Sequence, residues 1–421
     1  MTNRMIKDTM LVLKEHLGNY HLLGDEEVSR ESIVDLICIL EKNINDVRVA
    51  GRCTFRLADI LVIIFLAVLS GCSNCSEFAW FAKIRYPLLE KLGLVSGEVI
   101  PSHDTFRRIL LLIDPVELER SIYEELDHFF QQVEKQFNVE GKYIHMAIDG
   151  KELRGTGRSQ QTQTPQRNLQ TLNVYNCSRS ICLYSTSISR KTNEIPVAQQ
   201  LLSYCQLKRT IVSADALHSQ LETARLITER QGYYLFNIKD NQPLLKEEII
   251  RVFDRYPKKI RIVTEATEEN PMQDKSRSIE VIKLWDSYIG EDWPNQRNYV
   301  RYYSARQGQL FYFLTSIREN EAILEAVLSR WKIENDLHRH KDLLLQEDQI
   351  RYINRNIANN LALMNNLALA FINIAQGIGG FETKKFTRKA LVMDGNTLPF
   401  KVIKLAGSKC LIQEMRKLKK K

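Results

Sequence analysis

Two aspartates each close a run of apolar residues: Asp149 follows Tyr143-Ile144-His145-Met146-Ala147-Ile148, and Asp215 follows Ile211-Val212-Ser213-Ala214. A carboxylate at the end of a buried strand is costly unless something pairs with it. Hard cations such as Mg2+ take carboxylate oxygens, and two of them held about 3.5–4 Å apart stabilise both the attacking and the leaving oxygen of a phosphoryl displacement. Gly150 and Lys151 follow Asp149, which leaves room for a phosphate and supplies a cation. Taken singly, each aspartate is equally well explained as a strand-end residue capping the next turn. A third carboxylate, Glu334, sits in the stretch RWKIENDLHRHKD. There Arg330, Glu334, Leu337 and Lys341 recur at i, i+4, i+7 and i+11, a spacing that predicts one helical face at about 100° per residue, with His338 one turn beyond Glu334. Alone, that stripe also fits a surface helix with ordinary ion pairs.

The elements that must carry these groups are legible in the patterning. From Lys142 the run YIHMAID, then NLQTLNVYN and ICLYSTSIS, read as strands, with the polar loop GTGRSQQTQTPQ after the first. A helix from Glu194 to Tyr204, the strand TIVSAD, a helix over 219–230 and the strand YYLFNI follow, which predicts an α/β fold with a mixed sheet and flanking helices. Lys239 and Asn241-Gln242, just past that last strand, read either as phosphate contacts or as a turn and helix cap. Strand-like stretches between Arg261 and Ile317 predict a β-rich insertion and a return strand, and 320–374 reads as helix. The boundaries that follow are 1–140, a helical region; 141–255, the first part of the sheet domain; 256–317, the insertion; 318–375, the helices with Glu334; and 376–421, a basic tail.

In the first region, residues 1–50 show helical spacing, and Ile60–Leu69 is an uncharged apolar run. Ten residues are too few for a bilayer, which needs about 20, so a buried helix is expected. The N-terminus lacks a signal-peptide pattern, so a cytoplasmic protein without a membrane anchor is expected. Ser102 is placed to cap a helix projecting Thr105, Arg107 and Arg108, which fits the second helix of a helix-turn-helix or a plain amphipathic helix. Eight cysteines are scattered, and the lone CxxC at Cys72 and Cys75 is read as reduced thiols at a helix end. A net charge of +8 leans mildly toward a polyanionic partner.

Five blocks occur in series: AIDGKELRG, KTNEIPVAQQLL, IVSADALHSQ, GYYLFNIKDNQPLL and RWKIENDLHRHKDLLLQED. Together they resemble the H-repeat-associated family of bacterial insertion-sequence transposases. FRLADILVIIFLAVLSGC and IPSHDTFRRILLLIDP resemble the helical N-terminal domain of that family, so the likeness spans most of residues 50–375. The resemblance implies a ribonuclease-H-like catalytic domain with a DDE triad at Asp149, Asp215 and Glu334 holding two Mg2+ ions, for which Mn2+ can substitute. It implies metal-dependent cleavage of element ends and 3′-OH strand transfer into double-stranded target DNA, by a homodimer or larger assembly near the nucleoid. Lys151, Lys239, Arg330, Lys341 and His338 would then meet phosphates. Asn335, Asp342, Glu347 and Asp348 match as supporting residues. The Arg-x3-Glu-x6-Lys signature of related cut-and-paste transposases fits Arg330, Glu334 and Lys341, although its Tyr would fall at Val327. Two further departures are Arg330 where the family has His, and Arg339 where it has Trp. The same triad would serve a domesticated or purely hydrolytic nuclease, or persist in an inactive DNA-binding relic.

Overall fold

The computed structural model describes residues 44–124 (apart from 50, 92 and 96–98), 143–157, 167–188, 194–264, 278–284 and 293–378 (apart from 306). The helix expected within 1–50 therefore falls mostly outside the described residues, as do the polar loop beyond 157 and the tail from 379.

The uncharged run forms helix α1 (Leu57–Leu69), buried from Ala58 to Leu69. Its one buried acid, Asp59, is satisfied by Arg56, whose Nη2 lies 2.5 Å from Oδ1. Asn74 opens α2 (Cys75–Ile84) by accepting from the Glu77 amide. The expected CxxC therefore brackets a helix start, with both thiols free. A short α3 (Tyr86–Lys91) follows. Ser102 caps α4 (His103–Leu112) by accepting from the Thr105 amide at 3.3 Å, and Arg107 and Arg108 are exposed on it. Phe78 and Phe106 meet edge-on at 6.0 Å, joining α2 to α4.

The strands β1 (Ile144–Leu153), β2 (Leu169–Asn176), β3 (Ile181–Ile188), β4 (Thr210–Ala214), β5 (Tyr233–Ile238), β6 (Arg261–Thr264), β7 (Ser278–Lys283), β8 (Asn298–Ser304) and β9 (Gln309–Thr315) form one mixed sheet in the order β3-β2-β1-β4-β5-β9-β8-β7-β6. β1, β4 and β5 run parallel, and the other pairs are antiparallel. The crossovers are α5 (Glu194–Tyr204) and α6 (Leu221–Glu229), and α7 (Pro243–Arg255) follows β5. The expected mixed α/β class is what the structure shows. The strands between 261 and 315 join this sheet. β9 pairs with β5 from Leu235↔Thr315 to Ile238↔Tyr312, so they widen the main sheet. The reason is side-chain alternation: Leu314 enters the core shared with the helices, while Phe313 enters a second core on the other face.

Helix α8 (Asn320–Ser329) covers that second core through Ile323, Leu324 and Val327. It leads into a π-helical turn (Ile333–His338) and then α9 (Arg339–Leu344). The long α10 (Arg355–Ile378) packs back on the N-terminal helices, where Phe371 meets Phe65 of α1 edge-on at 5.0 Å.

Candidate active site

Register sets the first two carboxylates side by side. Ile148 of β1 pairs with Ala214, the last residue of β4, so Asp149 and Asp215 are the next step on adjacent parallel strands. Neighbours in such a step project to the same side. Asp149 is not at a strand end, as the sequence suggested. β1 runs on to Leu153 against β2, and only its pairing with β4 stops.

Asp215 is strapped from β5. Asn237 Nδ2 donates to its Oδ1 at 3.2 Å, and the Lys239 ammonium lies 2.8 Å from the same oxygen. Burial pushes the Asp215 carboxyl up, but Lys239, the Ala216 amide and Asn237 outweigh it and hold the group below its ordinary range. The turn after Asp215 is fixed in turn: Asn241 Nδ2 donates to the Ala216 carbonyl at 2.7 Å, and Gln242 Nε2 donates to the Ser219 carbonyl at 2.8 Å. Asn237 was not singled out from sequence; its place just before the Lys239-Asp240-Asn241-Gln242 block was the available signal.

Glu334 arrives on the π turn. An i→i+5 turn carries an extra residue and breaks the single face predicted for Arg330, Glu334, Leu337 and Lys341. Glu334 is exposed toward the aspartates, whereas Leu337 and Lys341 are turned wholly inside. Such turns concentrate at functional sites. Upstream of it, Arg330 is a rigid plane, with its guanidinium 3.7 Å from the Trp331 ring centroid and 5.0 and 4.9 Å from those of Phe311 and Phe313. Burial pulls its pKa down to about 10 against the attraction of Asp215 and Glu334. A buried His145 ties α8 to the strands. Ser329 Oγ, which donates to the Glu325 carbonyl, accepts from His145 Nδ1 at 2.6 Å, and Ser213 Oγ donates to Nε2 at 2.8 Å. Burial keeps this imidazole neutral, at about 3.

Asp149, Asp215, Glu334, Asn237, Lys239 and Arg330 line one cavity of about 220 Å³. The carboxylates feel one another there. Burial first, then Glu334, and further Asp215 and Glu194, push the Asp149 pKa up to about 7, although the Gly150 amide bonds its Oδ1 at 3.0 Å.

Of the other expected phosphate contacts, His338 Nδ1 lies 3.6 Å from Asp149 Oδ2 while Asn173 Nδ2 approaches its Nε2 at 3.3 Å. Burial, with Lys341 and Lys151 nearby, holds His338 neutral at about 3. Lys151 and Lys341 do not face the cavity. Lys151 Nζ is 2.5 Å from Asp342 Oδ1 and 2.9 Å from Glu347 Oε2, and the fully buried Lys341 is 3.0 Å from Glu347 Oε1. Glu347 has no exposed surface, and an unpaired buried carboxylate would cost several kcal/mol, roughly, so it claims both lysines. Their expected role as phosphate ligands thus gives way to bracing the base of α9.

Among the described residues, no three His, Cys, Asp or Glu side chains already stand as a ligand set. Donor type and charge nevertheless fit hard divalent cations. Three carboxylates line one cavity, where burial first and Glu334 next push Asp149 up to about 7, and Lys239 supplies the positive charge that Asp215 draws.

A family model described as Transposase DDE domain matches residues 140–371. The chain belongs to the DDE transposase family. A second model, described as DDE_Tnp_1-associated, matches residues 41–124. An H repeat-associated putative transposase, YhhI of Escherichia coli, is 24% identical over 385 residues, covering 84% of this chain and 94% of the relative. An uncharacterized protein in the dhlA 3′ region of Xanthobacter autotrophicus is 31% identical over 259 residues, 60% of this chain and 82% of the relative. This transposase is thus one of the H-repeat-associated group. A solved piggyBac transposase synaptic complex with hairpin DNA aligns over 98% of this chain and 84% of that one, at 14% identity and a TM-score of 0.41. No helix among the described residues is long and apolar enough to cross a membrane.

Proposed function

We propose that Asp149, Asp215 and Glu334 hold two Mg2+ ions, or Mn2+ in their place, and that the chain cuts DNA at the ends of an insertion sequence and joins the freed 3′-OH to target DNA. The observation that carries this reading is the convergence of the three carboxylates on one cavity, where burial, and after it Glu334, pushes Asp149 up to about 7. Strand order β3-β2-β1-β4-β5 supports a ribonuclease-H-like core for this site. When bound, the ions would activate a water for attack and offset charge on the phosphate oxygens. The first reaction adds water across one phosphodiester, giving a 3′-OH and a 5′-phosphate. The second exchanges one P–O bond for another, so neither needs a high-energy cofactor.

The chain's own residues position and neutralise. Lys239, half exposed, would leave Asp215 for a phosphate oxygen once Asp215 is engaged elsewhere. Arg330, clamped among three rings, presents a fixed guanidinium with little left to order. Neutral His338 braces the Asp149 carboxylate from the side of the π turn. Double-stranded DNA is the partner, in a homodimer or larger assembly in the cytoplasm, because two element ends must be handled together.

The test is a Mg2+-dependent cleavage and strand-transfer assay on DNA carrying the element's ends. We expect Asp149→Ala, Asp215→Ala and Glu334→Gln each to abolish both steps while DNA binding persists. Cleavage without joining would replace this reading with a hydrolytic nuclease. Binding without cleavage by the unaltered protein would reduce it to a DNA-binding relic.

A further inference from the structure

The hairpin of β8 and β9 reaches the cavity that holds the carboxylates. β5 stops at Ile238, and β9 pairs with it only from Tyr312 to Thr315, whereas β8 and β9 stay paired out to Ser304↔Gln309. The hairpin tip therefore projects past β5, at the end of the sheet where β4 delivers Asp215. Side chains alternate along β9, so Gln309 continues the file of Phe311 and Phe313, the two rings against the Arg330 guanidinium. Gln307 and Gln309, both exposed, line the cavity together with Asp149, Asp215 and Glu334.

The tip is a fixed turn. The Gln307 and Gly308 amides donate to the Ser304 carbonyl at 3.2 and 2.8 Å, and Gly308 takes the left-handed φ of +64° that glycine adopts without steric cost. Across it, Gln309 Nε2 donates to Gln307 Oε1 at 3.3 Å. That bond orients both amides. It leaves Gln307 Nε2 free to donate and Gln309 Oε1 free to accept, with no partner for either among the described residues. Neither side chain carries charge, so the pair adds nothing to the phosphate neutralisation left to Lys239 and Arg330. A free donor with a free acceptor is instead what reads a base edge. In the major groove only adenine offers the matching acceptor and donor, N7 and N6; guanine offers two acceptors, and cytosine and thymine one polar group each.

We propose that Gln307 and Gln309 form a base-reading pair that selects an A·T base pair beside the scissile phosphate, so that the hairpin tip sets where the cut falls. Because they share one cavity of about 220 Å³ with the three carboxylates, the base they meet must adjoin the phosphate under attack. The proposal rests on the DNA-cleaving reading above, and adds to it the residues that determine specificity at the cut.

The probe is duplex DNA carrying the element's ends, with the base pair on each side of the scissile phosphate replaced in turn by each of the alternatives. Cleavage by the full chain in Mg2+ and binding in EDTA are both followed. The unaltered protein should favour A·T at one of the two positions by roughly 5- to 100-fold in kcat/KM. The double variant Gln307→Ala, Gln309→Ala changes only exposed side chains, so it should fold like the parent and treat every base pair alike. Gln307→Glu keeps the acceptor for Gln309 but exchanges the free donor for an acceptor, so preference should move from adenine to cytosine, whose N4 donates. Equal handling of all base pairs by the unaltered chain would overturn the proposal. So would a double alanine variant that is slower on every substrate with its preference intact, the mark of a merely structural hairpin. A chain that discriminates in binding yet cuts nothing would keep the base reading and remove the cleavage reading; one that binds no DNA would end both.

Discussion

Without metal, Asp149 should be a liability to the fold, and replacing it should make the protein more stable. Its pKa is pushed from 3.8 to about 7, by burial first and by Glu334 next. Between those two values the folded state binds a proton that the unfolded chain has released, so stability falls as pH rises through that window. Above it the full penalty applies. A rise of that size corresponds to about 4 kcal/mol; with 30% of the Asp149 side chain exposed, solvent screening brings it to roughly 2–4 kcal/mol. Asp149→Asn removes the charge and keeps an acceptor for the Gly150 amide. In EDTA at pH 8 it should therefore be more stable by roughly 2–4 kcal/mol. For 421 residues, with an unfolding entropy of about 2.1 cal/mol/K per residue, that is roughly 1 °C of melting temperature per kcal/mol. The gain should shrink steadily toward pH 4 and vanish below it. Glu334→Gln, which removes only the second contribution, should give a smaller gain over the same range. Saturating Mg2+ should raise the melting temperature of the parent and leave Asp149→Asn nearly unmoved. A variant no more stable than the parent at pH 8, or a gain independent of pH, would refute the claim that these carboxylates repel one another in the folded state.

Lys341→Met should destabilise by about 3–5 kcal/mol at pH 7, because it strips a partner from a fully buried carboxylate. Glu347 is held down to about 2 by Lys341 and Lys151 against the opposing effect of burial, so the deficit in denaturant titrations should shrink as pH falls below 4.5 and the carboxyl protonates. Arg330→Ala should lower stability by about 2 kcal/mol through lost ring stacking, and Arg330→Lys should recover little in the same melts, since an ammonium lacks the planar face. Gly155→Ala would set a Cβ 2.3 Å from the Ile350 carbonyl oxygen and 2.7 Å from that of Asp348, backbone atoms that cannot step aside. A loss of about 3 kcal/mol or more, read as insolubility or rapid limited proteolysis, is expected.

Much of this site was legible because strands announce themselves through local patterning. Asp149 and Asp215 each close an apolar run, and the runs became adjacent parallel strands. The buried α1 was equally plain, being uncharged over Ile60–Leu69 and too short for a bilayer. What escaped was set by longer-range pairing. Nothing local to Lys151 or Lys341 reveals that Glu347 takes both, so the sequence alone leaves them looking free to face phosphate. The face around Glu334 differs from the sequence expectation because helical periodicity assumes 3.6 residues per turn, and the π turn departs from it. Glu194 lies in the block KTNEIPVAQQLL, but only the fold brings that helix start against Gly150. The strands from 261 to 315 look like an insertion along the chain because their partner β5 lies more than 70 residues before β9.

The π turn separates two obligations along one helical path. Upstream, Arg330 and Trp331 are committed to the rings of β8 and β9; downstream, Lys341 is committed to Glu347. The additional residue between them absorbs the angular mismatch and leaves Glu334 at the cavity. Chain length across Ile333–His338 is thus more constrained than most of its side chains. Deleting one exposed residue there, such as Asn335, would rotate everything beyond it by about 100°. Lys341 would swing out of its socket, whereas almost any substitution at Asn335 would leave both halves where they are.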